Sequence, residues 1–368
     1  MLTLRTQGLA QLPKQQPTTK HHCKNIRRSR TGSSRSVARV VAAAASEPIQ
    51  RSSEFDVKEL FQWSAQNGVR GSGLAFATGD EEWERGMIAQ EDQPEGRPLL
   101  AIPYSLALTD EINRLDVSPA YDGAHWGVVL ALRLLQEYKK GDSSEWAVYM
   151  TSLPATVPAL WWLVATGQKD LVEEVQYSPA VQLAEAMAKD VLKTYERIGP
   201  EALHQASLAE FLWAVAMVHS RSFGLEDSSR PGQYRHMLMP LADMLNHGGD
   251  QLGTYKGGQA ALKSVNRDDN IEWVVEAAPD ALYFVSTAAM QAGQEALMSY
   301  GDRSNDHFLL YYGFVPRSNP HDDVVLFESL DDLLSWYAGS RGLDPAGTEW
   351  AALSGAAAGA AASTAEAV

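Results

Sequence analysis

The sequence predicts an α+β fold, a strand-rich core interrupted by about a hundred helical residues. Three observations predict it. Short apolar runs broken by turn residues fill 71–103, apolar spacings of three and four run from about Asp122 to Phe223, and short runs return over 270–299. Strands on both sides of a helical stretch argue for helices segregated from the strands.

Folded sequence begins near Glu54. Phe55–Asn67 reads as a short helix with Leu60, Phe61 and Ser64 on one face, stopped by Asn67-Gly68. Next come the runs Gly71–Phe76, Gly86-Met87-Ile88-Ala89 and Leu99–Ile102, the last two separated by the turn Pro94-Glu95-Gly96. His125–Tyr138 is predicted helical, with Val128, Val129, Leu132 and Leu135 on its apolar face. Glu173–Ile198 is predicted as one helix whose face carries Leu183, Met187, Val191 and Tyr195. Ser207-Leu208-Ala209-Glu210 is a capping box, opening a helix with Phe211, Val215 and Val218 inward and Arg221 in its last turn. Strands follow at Asn270–Glu276, Ala281–Ala288 and Glu295–Ser299. Beyond Ser340 the chain turns Ala- and Gly-rich. Ala351–Ala362 has no apolar stripe and is expected to pack poorly.

Charge divides the chain sharply. Residues 1–46 hold nine of the 31 Lys and Arg and no acidic residue, so the remainder sets 22 basic residues against all 46 acidic ones. A basic, acid-free, Ser-containing start reads as an organelle transit peptide, chloroplast first and mitochondrion second. The alternative is a basic tail for nucleic acid or an anionic surface, but the acidic body offers no matching patch. The longest apolar runs are far shorter than a bilayer-spanning helix, so no membrane partner is expected. The one cysteine, Cys23, lies inside the leader, and a chain without it has no disulfide, no Cys-ligated zinc and no thiol nucleophile.

Three polar clusters interrupt the apolar pattern. Ser220-Arg221-Ser222-Phe223 closes the capped helix, where an arginine is also favoured simply by the helix dipole. In Pro240-Leu241-Ala242-Asp243-Met244-Leu245-Asn246-His247, Asp243 and His247 would share a face if helical, as a metal hydrolase would need. No third ligand follows at a recognised spacing, however, and HExxH is absent. Finally, Ser299-Tyr300-Gly301-Asp302-Arg303-Ser304-Asn305-Asp306 runs into Phe308–Phe314, bracketing a polar turn with Tyr300 and Tyr312. Two such tyrosines can direct hydroxyls into one pocket, although aromatic residues at helical spacing are more often core.

Together these segments, with Gly86–Ala89 and Pro94-Glu95-Gly96, resemble the SET-domain family typified by plant Rubisco large-subunit lysine methyltransferase, over roughly residues 55–320. The resemblance implies a SET domain at 54–320, with a pseudoknot between Asn246-His247 and Tyr300 and a helical insertion at about 110–235. Residues 321–368 are then expected to be what remains of a C-terminal substrate-binding domain, truncated or absent here. It implies an S-adenosylmethionine-dependent methyltransferase acting on a lysine of a soluble non-histone protein such as Rubisco's large subunit or aldolase, with no metal and no nucleic acid. A histidine acceptor and a non-catalytic interaction module are the alternatives. In family terms Asn246, His247 and Arg221 contact the cofactor, and the backbone of Trp83, Glu84 and Arg85 lies along it. Tyr300 is the catalytic tyrosine and Tyr312 lines the acceptor channel. The chain departs from the pattern at Trp83, where an acidic residue is common, and at Gly248. Tyr255 matches a further channel tyrosine only loosely.

Overall fold

The computed structural model describes residues 55–78, 85–110, 125–226, 232–248, 250–251, 266–267, 269–275, 280–316, 319–324, 326–327, 330–344, 347–352 and 355. Residues 1–54, including the segment expected as a transit peptide, Trp83, Glu84, Tyr255 and most of the Ala-rich tail therefore lie outside the described residues. The chain divides into a unit of residues 27–320 and a smaller one formed by 1–26 and 321–368.

In the larger unit, α1 (Val57–Gln66) is capped by the Asp56 carboxylate, which accepts from the Lys58 N–H at 2.8 Å, and buries Leu60 and Ser64. The three expected runs appear as β1 (Arg70–Gly71) with β2 (Leu74–Thr78), β3 (Arg85–Ala89) and β4 (Pro98–Pro103), and a further short strand the sequence did not mark, β5 (Leu108–Thr109), follows. Then come α2 (Trp126–Lys139), α3 (Ala147–Ser152), α4 (Leu160–Ala165), α5 (Lys169–Glu174), α6 (Ser178–Ile198) and α7 (Leu208–Arg221). The chain returns to strands at β6 (Ser222–Glu226), β7 (Tyr234–Leu238), β8 (Asn246–His247), β9 (Asp250–Gln251), β10 (Asn266–Arg267), β11 (Ile271–Val275), β12 (Ala281–Ser286) and β13 (Glu295–Met298), and closes with α8 (Asn305–Tyr311). No helix among the described residues is long and apolar enough to cross a membrane.

The main sheet runs β1-β4-β12-β11-β13-β3-β2, with β8 added alongside β13. Strands β5, β7 and β6 form a second, three-stranded sheet, and β9 pairs with β10. Most pairings are antiparallel, but β13 runs parallel to both β11 and β8, with Leu297 opposite Asn246 and Met298 opposite His247. That parallel pairing sets the two polar motifs side by side. It is the adjacency a threaded crossover needs, although residues 252–265 of the connection lie outside the described residues.

Two cores support this arrangement. One, around Met87, Leu99, Ile102 and Phe284, fills the space under the main sheet; the other, around Tyr149, Trp161, Phe211 and Leu130, is built from the helices. Three expectations need correction. The predicted stripe on α2 is present, with Val129, Leu132 and Leu135 buried and Val128 half-buried against the core, but burial extends over nearly the whole circumference because the helix is enclosed by its neighbours. The predicted helix Glu173–Ile198 is two helices, α5 and α6, separated by extended residues before Pro179. Of the predicted face, Met187, Val191 and Tyr195 pack half-buried against the helical core, but Leu183 is 47% exposed, and the fully buried positions of α6 are Ala180, Ala184 and Ala188. Small side chains let α6 approach α4 closely, which a leucine stripe would prevent.

The smaller unit's described part centres on α9 (Leu330–Arg341), which buries Leu334 and Ala338 and sets Trp336 against Phe327 with ring centroids 5.4 Å apart.

Candidate active site

The capping box of α7 forms as the sequence predicts. The Ser207 hydroxyl accepts from the Glu210 N–H at 3.3 Å, and the Glu210 carboxylate accepts from the Ser207 N–H at 2.6 Å. The helix so started ends at Arg221, whose Nη1 donates to the Asp243 carbonyl oxygen at 2.7 Å and lies 3.5 Å from Asp243 Oδ2. Arg221 is thus more than a charge at a helix end.

Asp243 does not lie on a helix with His247. Residues Ala242–Met244 form one 3₁₀ turn, and Asn246-His247 is already strand. Leu241 opens the turn with φ of 70°, a left-handed conformation that a leucine adopts only when its surroundings impose it; its side chain is fully buried. The turn sends Asp243 inward, where its Oδ2 accepts from the Tyr149 hydroxyl at 3.0 Å. Burial pushes the Asp243 carboxyl above the usual carboxylate range, opposed by Arg221 and the Tyr149 hydrogen bond. This pairing accounts for Asp243 without a metal role.

Asn246 Nδ2 donates to the Arg85 carbonyl oxygen at 2.9 Å and to Glu295 Oε1 at 2.8 Å, tying β8 to β3 and β13. Its carbonyl oxygen is the acceptor left for a ligand. Gly86 is required beside it, since a Cβ there would sit 2.7 Å from both Asn246 Nδ2 and Glu295 Oε1. His247 Nδ1 accepts from the Tyr300 N–H at 3.2 Å, which places the neutral ring's proton on Nε2. The ring packs between Tyr300 and Phe308, with centroids 5.2 and 4.6 Å away.

Strand β13 ends at Met298, two residues before Tyr300, so the tyrosine belongs to the turn rather than to the strand. It is held at three points: its N–H by His247, its carbonyl by Arg303 Nε at 2.9 Å, and its hydroxyl by the Leu245 carbonyl oxygen at 2.9 Å. Ser304 caps α8, which delivers Tyr312 at its C-cap, with its ring centroid 5.1 Å from that of Tyr300. Burial pushes both tyrosine hydroxyls above their ordinary range, Tyr300 furthest, so both keep their protons at neutral pH.

Two cavities meet at these residues. The larger, about 780 Å³, is lined by Arg85, Trp162, Asn246, His247 and Phe314 among others; the smaller, about 530 Å³, by Trp126, His236, Trp273 and Arg303 among others. Ser220, Arg221, Asp243, Tyr300 and Tyr312 line both. At this shared wall Arg221 Nε and Asp243 Oδ1 are buried with no hydrogen-bond partner among the described residues. Orphaned polar atoms of this kind cost about 1–3 kcal/mol each, a cost a ligand removes.

Six sequence-predicted residues, Arg85, Arg221, Asn246, His247, Tyr300 and Tyr312, are therefore brought around one pocket. Sequence reasoning missed Trp126, His236, Trp273 and Arg303. Only Arg303 stood in a flagged motif; the others occupy apolar or mixed runs with no pattern to mark them.

Comparison with solved structures identifies the architecture. The chain is similar to the SET domain of LSMT bound to lysine and AdoHcy (TM-score 0.57, 18% identity, 71% of this chain and 57% of that one). It is also similar to Rubisco LSMT bound to sinefungin and monomethyllysine (TM-score 0.55, 20% identity, 75% and 60%). The fold is thus that of a SET domain. Among particular proteins, the ribosomal lysine N-methyltransferase set10 of Schizosaccharomyces pombe is 22% identical over 244 residues, 65% of this chain and 41% of that protein. The actin-histidine N-methyltransferase of Canis lupus familiaris is 26% identical over 287 residues, 73% and 44%, and its Homo sapiens counterpart is 25% identical over the same length. The chain spans about two-fifths of the length of these relatives. No protein-family model matches it.

Proposed function

We propose that the chain transfers a methyl group from S-adenosylmethionine to a side-chain nitrogen of a protein, with lysine as the acceptor. The observation that carries this reading is the pair of cavities sharing Tyr300 and Tyr312 as a common wall. Two reactants can enter from separate sides and meet at one point, where holding them in line supplies several kcal/mol of rate enhancement.

The residues present fit the methyl donor. A cavity of about 780 Å³ has room for a nucleoside-bearing amino acid, and the buried, unpartnered Arg221 Nε–H suits a carboxylate. Asn246 and His247 would hold it with Arg221, and the backbone at Arg85 would lie beside it. When bound, S-adenosylmethionine supplies a methyl carbon on a sulfonium, to which the acceptor nitrogen bonds as the carbon–sulfur bond breaks and its electron pair stays on sulfur. Tyr300, its proton given to the Leu245 carbonyl, offers lone pairs to the polarised methyl hydrogens. Tyr312 supplies an aromatic wall that tolerates cationic groups. No metal is required.

We read residues 54–320 as the catalytic domain with the helices of 110–235 as its insertion. The substrate is a soluble non-histone protein, in the chloroplast first and the mitochondrion second. A histidine acceptor is the second reading, favoured by similarity to the actin-histidine N-methyltransferases. Calorimetry with S-adenosylmethionine tests the donor site; no binding would leave only a SET-fold interaction module. Radiolabelled transfer into plastid extract, followed by mass spectrometry of the labelled residue, tests the acceptor. Label on histidine alone would replace lysine.

A further inference from the structure

A lysine reaches a protein surface as an ammonium ion and attacks a methyl carbon only as the neutral amine. The acceptor cavity must therefore contain a place for that proton. Tyr300 and Tyr312 are held protonated by burial, and Asp243 is engaged by Arg221 and Tyr149. Asp243 keeps Oδ1 without a partner, but a proton taken there would dissolve the buried pair with Arg221, so the step is better served by a group outside that pair.

His236 is arranged differently. It lies on β7 in the wall of the same cavity. Its Nδ1 is 2.9 Å from Asp110 Oδ2, and its own N–H donates to Asp110 Oδ1 at 3.1 Å, so one carboxylate clamps both ring and backbone. The ring stacks flat on Trp126, with centroids 3.8 Å apart and planes 10° from parallel. With Nδ1–H given to Asp110, the lone pair is on Nε2. Opposite this edge in the β6–β7 register stands Gly224, another residue of the cavity wall; even a Cβ there would lie 3.6 Å from Cδ2 and 3.8 Å from Nε2, so glycine leaves the edge open.

We propose that His236, oriented by Asp110 and Trp126, accepts the proton of the incoming lysine ammonium in the acceptor cavity. The inference rests on the methyl-transfer reading above and adds to it the residue that prepares the nucleophile. The proton passes from the ammonium nitrogen to Nε2, and the nitrogen keeps the N–H electron pair as the lone pair that attacks. The imidazolium is stabilised by Asp110 and returns its proton to solvent at the cavity mouth. The other ionisable groups around the ring among the described residues are His125 ahead of α2, His219 of α7 across Trp126, Tyr234 and Arg235 of β7 itself, and Arg221, Asp302 and Arg303 of the cavity wall. Among the described ionisable groups around the ring, Asp110 is the one that reaches a ring nitrogen of His236 within hydrogen-bond distance.

Two measurements on the full chain test this. Nitrogen-15 NMR of the imidazoles should find neutral His236 as the Nδ1–H tautomer, and Asp110→Asn should abolish that preference. An Nε2–H tautomer in the unmodified chain would overturn the proposal whatever the enzyme transfers. Kinetics then use the best acceptor from an arrayed library of lysine peptides with tritiated S-adenosylmethionine. His236→Gln should lower kcat/KM about 10²-fold at pH 7 and recover most of it at pH 9.5, where hydroxide deprotonates the lysine directly. Calorimetric affinity for S-adenosylmethionine should stay within about twofold if the two cavities bind independently. A loss equal at both pH values would assign His236 a packing role and overturn the proposal. With the Nδ1–H tautomer present, failure to methylate any peptide would overturn the lysine-transfer reading and this step with it.

Discussion

At Tyr300 the hydroxyl proton is already committed to the Leu245 carbonyl oxygen, so only lone pairs remain to act on a methyl group. Tyr300→Phe removes those lone pairs and leaves the Leu245 carbonyl without that donor, while the ring still packs against His247 and Tyr312. Methyl transfer should fall about 10–10³-fold with calorimetric affinity for S-adenosylmethionine changed less than about threefold, since the lost contacts act on the reacting carbon. Parallel loss of both would make Tyr300 structural. Asn246 differs, because its amide bridges three strands as well as facing the cavity. Asn246→Ala should therefore lower stability by about 1–3 kcal/mol in urea titrations in addition to weakening donor binding, as it strands the Arg85 carbonyl.

His219 carries a pH dependence. Burial between Trp126 and Tyr311 lowers its pKa to about 4, helped by the charges of His125, His307 and Arg303. The unfolded chain binds the proton near pH 6.5 and the folded one only near 4. The neutral ring's contribution is thus complete above pH 6.5 and is lost as pH falls toward 4, on the order of 3 kcal/mol. Thermal melts across that window should drop steeply for the unmodified chain and less for His219→Gln. Residues of this scale were legible where they sat in local motifs: Asn246, His247 and Tyr300 announce themselves within a few positions. Asp110 and His236 are 126 residues apart and meet only because β5 and β7 pair. No spacing rule spans that distance.

Among the elements, legibility followed the nature of the signal. The capping box, the turn at Gly96 and strands β2, β3, β4, β11, β12 and β13 are written in side chains that act locally, and the structure has them where the sequence placed them, whereas β5, β6 and β7 carried no such mark. The apolar faces of α2 and α6 were read in part: their predicted residues pack on the helical core except Leu183, but the full extent of burial is decided by neighbouring helices, and alanines carry little periodic signal. The 3₁₀ turn at Ala242–Met244 was hidden by a helix-like spacing that the strained Leu241 breaks. A tighter element-level constraint lies at Gly313. Its φ is +80°, and a Cβ there would run into the Pro158 carbonyl, where the turn after α8 crosses the approach to α4. Gly313→Ala should push Tyr312 off the shared wall and Phe314 off the wall of the larger cavity. Expected readouts are a lower melting temperature and a methyl transfer rate reduced more than Ser207→Ala reduces it. The serine variant removes only a cap, about 1 kcal/mol, at the far end of α7 from Arg221.

For the larger unit as a whole, the two cavities define a functional division that side-chain changes can separate. Trp273 lines only the smaller cavity, Arg85 only the larger, and Arg221 both. Trp273→Ala should raise the acceptor peptide's KM several-fold while donor affinity by calorimetry holds. Removing an interfacial aromatic side chain costs on the order of 1–2 kcal/mol on its own side alone. Arg85→Met, which removes the Nη2 donation to the Ser152 carbonyl at 2.6 Å, should weaken the donor and spare the acceptor. Arg221→Met should impair both, because it also leaves Asp243 buried without its cation, and a broken buried pair costs about 3–5 kcal/mol. Saturating S-adenosylmethionine raises the melting temperature of any variant that still binds it. That shift should persist in Trp273→Ala, shrink in Arg85→Met and vanish in Arg221→Met. Equal shifts in all three would mean that the shared wall does not divide donor from acceptor, and the methyl-transfer geometry would have to be abandoned.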